Sequence, residues 1–290
     1  MNEKTVAIVI LNYNSAQQTE NLIQSLKKFE EDYDLIIVDN HSSKSDREQL
    51  EKFQTCAEIM ELRQNSGYAA GNNAGIKRAM ELKYQYILIA NSDIEIIYPN
   101  TIKKLVFYMD KLHADAVGPQ MRNDKGEINS GIIIDNRMGR TSRKITHEIT
   151  PCRSLVGACL LLSRRMIEKN GYIPEEYFLY REETDYLIQA YQKDLKIYYI
   201  PQIEIIHRHG TTTGKVWDYY FNRNSIYFAR KIWHTPVIFL ALFHFLKSVY
   251  LTYSIFTGLE HRENKTESIK LMWLGYVDGI HGKIGKKENM

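Results

Sequence analysis

The sequence predicts an α/β fold, a doubly wound, mostly parallel sheet with a helical C-terminal appendage. Three observations lead there. Short, unbroken apolar runs such as Val6 to Leu11 and Leu35 to Val38 suit strands covered on both faces. Stretches of helical length separate these runs, and repeated strand–helix units of this size close right-handed crossovers within one sheet. The runs also end in polar, turn-forming residues, which in open α/β sheets collect at the carboxyl edge where ligands bind.

Taken in order, Val6 to Leu11 is the first strand, and Asn12, Tyr13, Asn14 and Ser15 supply turn and cap chemistry for a helix from about Ala16 to Phe29. Leu35 to Val38 is the second strand and ends in Asp39. A third runs near Ile59 to Leu62 and stops at Gln64-Asn65-Ser66-Gly67, ahead of a helix from Tyr68 to Leu82. Tyr86 to Ala90 is the fourth and ends in Asn91-Ser92-Asp93. After Pro119 the alternation weakens. Turns at Asn123 to Gly126 and at Asp135-Asn136 flank β-rich Ile132 to Ile134, and Ser154 to Leu162 reads as a buried strand. A helix from Glu182 to Lys193 and strands at Lys196 to Tyr199 and Glu204 to His207 come next. From about Lys215 the pattern is helical and aromatic.

Composition excludes several classes. A content of 44% hydrophobic and 25% charged residues is ordinary for a globular protein with a full core, and a net charge of +3 is too small to make nucleic acid the main partner. Cys56, Cys152 and Cys159 show no metal-knuckle spacing, which leaves no disulfide framework or zinc ribbon and fits a reducing cytosol. Met1 to Thr5 lead straight into the first strand, so no signal peptide is expected.

The strand ends carry the chemistry. Asp93, a carboxylate just past a buried strand, suits a hard divalent cation shared with substrate phosphates, although Asn-Ser-Asp also makes an ordinary turn. Asp39 closes the second strand where an acid often meets a ribose or base. Gly67, Gly71 and Gly75 open a helix whose free N–H groups can meet phosphate oxygens. A dinucleotide fold would need G-x-G-x-x-G after strand one and an ATPase would need G-x-x-x-x-G-K; neither is present.

The combination of Ile10 to Asn14, Val38-Asp39-Asn40, Asn65 to Asn73 and Asn91-Ser92-Asp93 resembles bacterial family 2 glycosyltransferases, with the rhamnosyltransferase-like members nearest. The resemblance continues through Gly157-Ala158, Tyr177 to Asp185, Pro201 to His207 and Asp278 to Gly285, and so covers most of the chain. It implies a GT-A fold and an inverting, Mg²⁺- or Mn²⁺-dependent transfer from a UDP- or dTDP-sugar to a glycan or lipid-linked acceptor in bacterial surface polysaccharide synthesis. Residues 1–210 are then the catalytic domain, with a nucleotide-binding half to about 119 and an acceptor half over 120–210; residues 211–290 form the helical region. The implied donor contacts are Asn12, Tyr13, Asp39, Asn65, Gly67, Gly71, Asn72 and Ser92. Two positions depart from the family pattern: Asn91 stands where an acid is common, and the usual Glu-Asp pair is Glu182-Glu183. A non-catalytic nucleotide-sugar-binding partner and a sugar-phosphate nucleotidyltransferase are the competing classes.

Sugar transfer needs the leaving diphosphate neutralised and the acceptor hydroxyl deprotonated. Asp93 is expected to hold the metal with His207 as second ligand, and Arg208 and His209 are alternates for phosphate neutralisation. Glu183 is expected as general base by its alignment with the second acid of the pair, with Asp185 as runner-up. Lys77, Arg78, Arg122 and Arg153 read as solvated surface charges.

Pro236 to Phe256 is about long enough to span a bilayer, but Lys247 interrupts it, and His244, Ser248 and Thr252 join that lysine in a polar stripe. With Arg230, Lys231, Arg262, Lys265, Lys270, Lys283, Lys286 and Lys287 around it, residues 236–287 read as a contact with the cytoplasmic face of an anionic membrane, or as packing on the catalytic domain or within a homo-oligomer.

Overall fold

The structure is a computed structural model that describes residues 5–29, 32–208 and 214–288. The chain runs β1 (Val6–Asn12), α1 (Ala16–Phe29), β2 (Tyr33–Asp39), α2 (Lys44–Leu50), β3 (Ala57–Glu61), α3 (Tyr68–Glu81), β4 (Tyr86–Asn91), β5 (Ile94–Glu95), α4 (Thr101–Lys111) and β6 (Ala116–Arg122). It continues as β7 (Ile132–Asp135), β8 (Thr141–Lys144), β9 (Thr150–Pro151), β10 (Cys159–Ser163), α5 (Arg164–Asn170), α6 (Glu182–Gln192), β11 (Ile197–His207), α7 (Lys215–Trp233), α8 (Val237–Thr257) and α9 (Lys265–Ile280).

The main sheet orders its strands β3-β2-β1-β4-β10-β6-β11-β5, with β9 on the side of β11; β7 and β8 form a separate hairpin. The chain winds from β1 outward to β2 and β3, then returns to place β4 on the other side of β1, all parallel. That reversal opens a crevice at the carboxyl ends of β1 and β4, the usual ligand position in such sheets. Both faces are covered, which is why the strands read as continuous apolar runs. Ile8, Ile10, Leu35 and Ile37 meet Leu22, Ile23 and Leu26 of α1 on one face. Val9, Val38, Ile87 and Ile89 meet Ile76 and Ala79 of α3 and Leu187 of α6 on the other.

Two strand expectations change in a way that matters for the site. The expected strand over Ser154 to Leu162 begins only at Cys159, and β10 is antiparallel to β4 with Cys159 opposite Ala90. Its entry loop is therefore delivered to the tip of β4, where Ala158 O accepts from Asn91 N–H at 2.9 Å. The two expected strands at 196–199 and 204–207 are one strand, β11, with a register shift between Ile200 and Glu204.

The last three helices stack on this body. Gly275 and Gly279 let α9 press onto the backbone of α7: a Cβ on Gly275 would lie 2.4 Å from Tyr219 O and one on Gly279 2.9 Å from Arg223 O. Helix α8 turns its polar stripe inward. The His244 ring bonds to Met138 O at 2.9 Å, Lys247 Nζ donates to Asn222 Oδ1 at 3.1 Å, and Thr252 Oγ1 accepts from Trp273 Nε1 at 3.0 Å. Burial, with Arg181 and Arg140 nearby, pushes Lys247 down to about 8. The outward face is apolar, running from Ile238 (72% exposed) through Leu242, Leu246, Tyr250 and Tyr253 to Phe256 (77%). Helix α8 is also long and apolar enough to cross a membrane, with mean hydropathy 1.5.

Candidate active site

Asp93 leaves the tip of β4 in a tight turn, and β5 immediately pairs with the end of β11, setting Ile94 opposite His207. This register brings His207 Nε2 to 3.5 Å from Asp93 Oδ1, while Asp93 O accepts from Arg208 N–H at 2.8 Å. The two expected metal ligands are thus brought together by strand pairing. Among the described residues no third His, Cys, Asp or Glu joins them. One carboxylate and one imidazole nevertheless fit a divalent ion that takes its other ligands from a diphosphate and water, and the imidazole suits Mn²⁺ better than Mg²⁺, which prefers all-oxygen sites. Arg208 is engaged elsewhere, with Glu95 at 2.5 Å and Asp124 at 3.4 Å, and His209 lies outside the described residues.

Across the crevice stand Glu182 and Glu183, in the first turn of α6, where the helix dipole favours negative charge. Gly157 makes room for the second: a Cβ there would lie 2.6 Å from Glu183 Cγ and 3.0 Å from Oε1. Among the described residues neither Glu182 Oε2 nor Glu183 Oε2 has a hydrogen-bond partner. Burial and then the charge of Glu183 push Glu182 well above the usual carboxyl range. Burial also raises Glu183, opposed by its own backbone N–H and by Arg181. Such a pair gives up its two protons in separate steps.

Tyr68 links the two sides and was missed as a site residue. Its hydroxyl lies 2.9 Å from Asn91 Oδ1 and 3.2 Å from Gly157 O, reaching from the β4 tip to the glycine beside Glu183. Burial, then the charges of Glu183, Glu182 and Asp93, hold this phenol well above its ordinary value, so it stays a donor. The same bond explains Asn91 in place of an acid: a neutral amide oxygen accepts from Tyr68 without adding negative charge to a crevice that already holds three carboxyls. The clue lay one residue past Gly67, in a motif otherwise valued for its glycines.

Asp185, the alternate base, is fully buried and committed: its oxygens take Lys231 Nζ from α7 and Gln189 Nε2, each at 2.6 Å. Several expected donor contacts also hold the crevice together from within. Asn12 is fully buried, donating to Asp39 Oδ1 at 3.0 Å, Ser42 Oγ at 3.1 Å and Asp46 Oδ2 at 2.7 Å, and accepting from Ser15 and Thr19. Asp39 is 0% exposed and also accepts from the backbone N–H and hydroxyl of Ser42. Gly71 faces the sheet, where a Cβ would lie 2.3 Å from Leu11 Cδ1. Gly67 has φ 95° and is backed by Phe178, whose carbonyl accepts the Tyr68 N–H at 2.8 Å. The start of α3 is therefore closed by protein at that N–H, and its glycines serve close packing. Asn65 accepts from Asn40 Nδ2 and Gly67 N–H, and buried Asn72 donates to Tyr68 O. Tyr13 is half exposed at the β1 tip, and Ser92 Oγ lies 3.0 Å from Ser15 Oγ. Of the basic residues read as surface charges, Arg78 pairs with Glu58 and Glu81 at the exterior.

The model for glycosyl transferase family 2 matches residues 7–171, more than half of the chain and all of the sheet crevice up to Gly157. The chain belongs to that family. Among its relatives, the low-salt glycan biosynthesis hexosyltransferase Agl10 of Haloferax volcanii is 24% identical over 98% of this chain and 94% of its own length. The dTDP-rhamnosyl transferase RfbF of Shigella flexneri is 25% identical over 98% of each. Among solved structures, S. aureus TarS 1–349 in complex with UDP-GlcNAc superposes with TM-score 0.59 at 14% identity, over 95% of this chain and 81% of that one. GalNAc-T7 with UDP, GalNAc and Mn²⁺ gives 0.61 at 14% identity, over 78% and 51%. These likenesses establish the GT-A fold, and the chain is a family 2 glycosyltransferase.

Proposed function

We propose that this glycosyltransferase moves a sugar, with inversion, from a UDP- or dTDP-sugar to a hydroxyl of a glycan or lipid-linked acceptor, with Asp93 and His207 as metal ligands and Glu183 as general base. One observation carries the reading: Tyr68 spans from the Asp93 side to the Glu183 side, so a sugar lying over it would have the Asp93–His207 ligand pair behind its leaving group and a carboxylate on its other flank. A bound divalent ion supplies Lewis-acid neutralisation of the diphosphate. The acceptor oxygen forms a bond to the anomeric carbon as the bond to the diphosphate oxygen breaks, and Glu183 takes the hydroxyl proton. Glu183, the second acid of the pair, packs against Gly157, whose carbonyl accepts from Tyr68, and this favours it over Glu182 as the base. Structural relatives described with UDP-GlcNAc or with Mn²⁺ support the donor class and the ion.

We read residues 1–210 as the catalytic unit and 211–290 as a helical region that docks it on the cytoplasmic face of a membrane. The outward face of α8 supports this: a contiguous apolar stripe that lacks any acid, with exposed Arg137 and Arg140 near its first half and exposed Lys265 and Lys270 beyond its end. A stripe of this kind also suits a second copy of the chain, which vesicle binding by a monomer would rule out.

The test is Glu183→Gln with a panel of UDP-N-acetylglucosamine, UDP-glucose and dTDP-rhamnose. Nucleoside diphosphate should still bind with Mn²⁺ while turnover falls by about two to four orders of magnitude. Retained turnover would remove Glu183 from the role. Absence of turnover by the wild-type enzyme with every donor and acceptor would favour a nucleotide-sugar-binding partner.

A further inference from the structure

We infer that Arg223 and Asn224 of α7 are positioning residues for Glu183, holding the loop from Tyr177 to Arg181 in the left-handed conformation that aims this carboxylate into the crevice. The inference rests on the reading of Glu183 as base.

The loop is unusual in its backbone. Phe178, Tyr180 and Arg181 have φ of 66°, 68° and 84°, and none is glycine. L-residues adopt that region uncommonly, and for bulky ones three such positions within four residues need support from surrounding structure. The compulsion is visible on two sides. Asn224 Nδ2 lies 3.0 Å from Tyr177 O, 2.7 Å from Leu179 O and 3.0 Å from Tyr180 O, so one buried amide gathers three carbonyls. Arg223 Nη2 adds a second bond to Tyr177 O at 2.7 Å. The carbonyl between them, Phe178 O, points the opposite way and accepts from Tyr68 N–H at 2.8 Å, in the space left by Gly67. Three carbonyls held from α7 and one, Phe178 O, held from α3 define the loop's twist, and Glu182 and Glu183 come directly after it.

The clamp is itself oriented. Arg223 Nε donates to Asn224 Oδ1 at 2.9 Å, which turns the amide nitrogen toward the loop. Arg223 Nη1 donates to Gly285 O at 2.6 Å, and Gly285 N–H donates to Glu176 O at 2.6 Å, so a segment past α9 fastens both the clamp and the loop's entry. Arg223 is 1% exposed, and α9 backs it through Gly279. The Asp93–His207 pair, by contrast, is set by the pairing of β5 with β11.

Donor binding and turnover should therefore separate. In Asn224→Ala the amides of 176–183 should exchange with deuterium at least about tenfold faster, while those of β1 and β4 keep their protection. Turnover of whichever panel donor the wild type uses should fall by at least about tenfold, because misplacement of a reacting group by about 1 Å costs that much or more. The Kd for UDP or dTDP with Mn²⁺ should stay within about twofold, since contacts on the diphosphate side are untouched. Asn224→Ser, which keeps one donor, should fall between the two, and serves if the alanine variant does not fold. Thr252→Val, which removes the bond from Trp273 away from the loop, should leave both readouts at wild-type level. Unchanged loop exchange in a folded Asn224 variant overturns the inference, as does unchanged turnover where Glu183→Gln is inactive. If Glu183→Gln itself turns over, the base assignment fails while the exchange result still decides the clamp.

Discussion

The two sides of the crevice are held by different physics. On the proposed metal side, Asp93 and His207 meet because β5, a two-residue strand at the sheet edge, pairs with the end of β11 in one register. On the base side, Glu183 follows a loop in sparsely allowed conformations, kept there by side chains from two helices and by Gly157 beneath it. On the proposed reading the sheet is the floor on which the donor rests. The loop supplies a tunable wall, and small changes there should alter turnover without altering donor affinity.

The sharpest way to break this contrast is at the floor. Asp93→Ala should weaken Mn²⁺-dependent binding of the nucleoside diphosphate by at least about 100-fold, measured by calorimetry, and leave weak metal-free binding unaltered. Equal affinity with and without the substitution would move the metal elsewhere. At the wall, Gly157→Ala places a methyl against Glu183 Cγ; turnover should fall by about 10- to 100-fold with donor Kd unchanged, and a parallel loss of both would mean that the two sides are not independent.

A subtler test uses pH. Glu183 accepts a proton only when ionised, and its carboxyl is raised above 4.5 by burial, so kcat/KM should fall on acidification with an apparent midpoint above 4.5. The sign for stability is the reverse. The folded state binds these protons more tightly than the unfolded chain, so the pair adds stability as pH drops through its raised values toward 4.5. A midpoint at or below 4.5 would show Glu183 to be solvated. The smallest effect on chemistry belongs to the outer surface: Leu242→Glu with Leu246→Glu should abolish binding to phosphatidylglycerol vesicles and leave turnover of a soluble acceptor within about twofold. Retained vesicle binding would detach α8 from the membrane, and a change from dimer to monomer in the variant would assign its face to a second copy.

Much of the floor was legible in the sequence. Buried parallel strands announce themselves as apolar runs, and the residues just past the end of each run must lie at one edge, so Asn12, Asp39, Asn65 and Asp93 could be grouped without coordinates. Their division of labour could not. Asn12 and Asp39 spend their hydrogen-bonding capacity on each other and on Ser42, and a strand-tip residue that braces a loop has the same sequence signature as one that meets a ligand. Glu183 and Asp185 were separable only in part: residues two apart on a helix do not share a face, so just one could look into the crevice, but the partner that claims Asp185 is Lys231, far along the chain. The clamp was the least visible, because Arg223 and Asn224 sit in a helix whose pattern says only that one side is buried. The Asp278 to Gly285 motif, whose Asp278 takes Lys283, Lys287 and the Tyr219 hydroxyl, makes sense once Gly279 and Gly285 are seen supporting that helix.

The bond from Gly285 N–H to Glu176 O also sets an order of events during synthesis. Every strand of the sheet has been synthesised once β11 has emerged, and α9 with the segment beyond it follows later. A nascent chain thus carries every strand of the proposed donor floor before residues 278–287 exist to fasten the base loop. On the proposed reading, residues 278–287 are then the segment that completes the base side, and a chain halted before them should bind nucleotide sugar without transferring it.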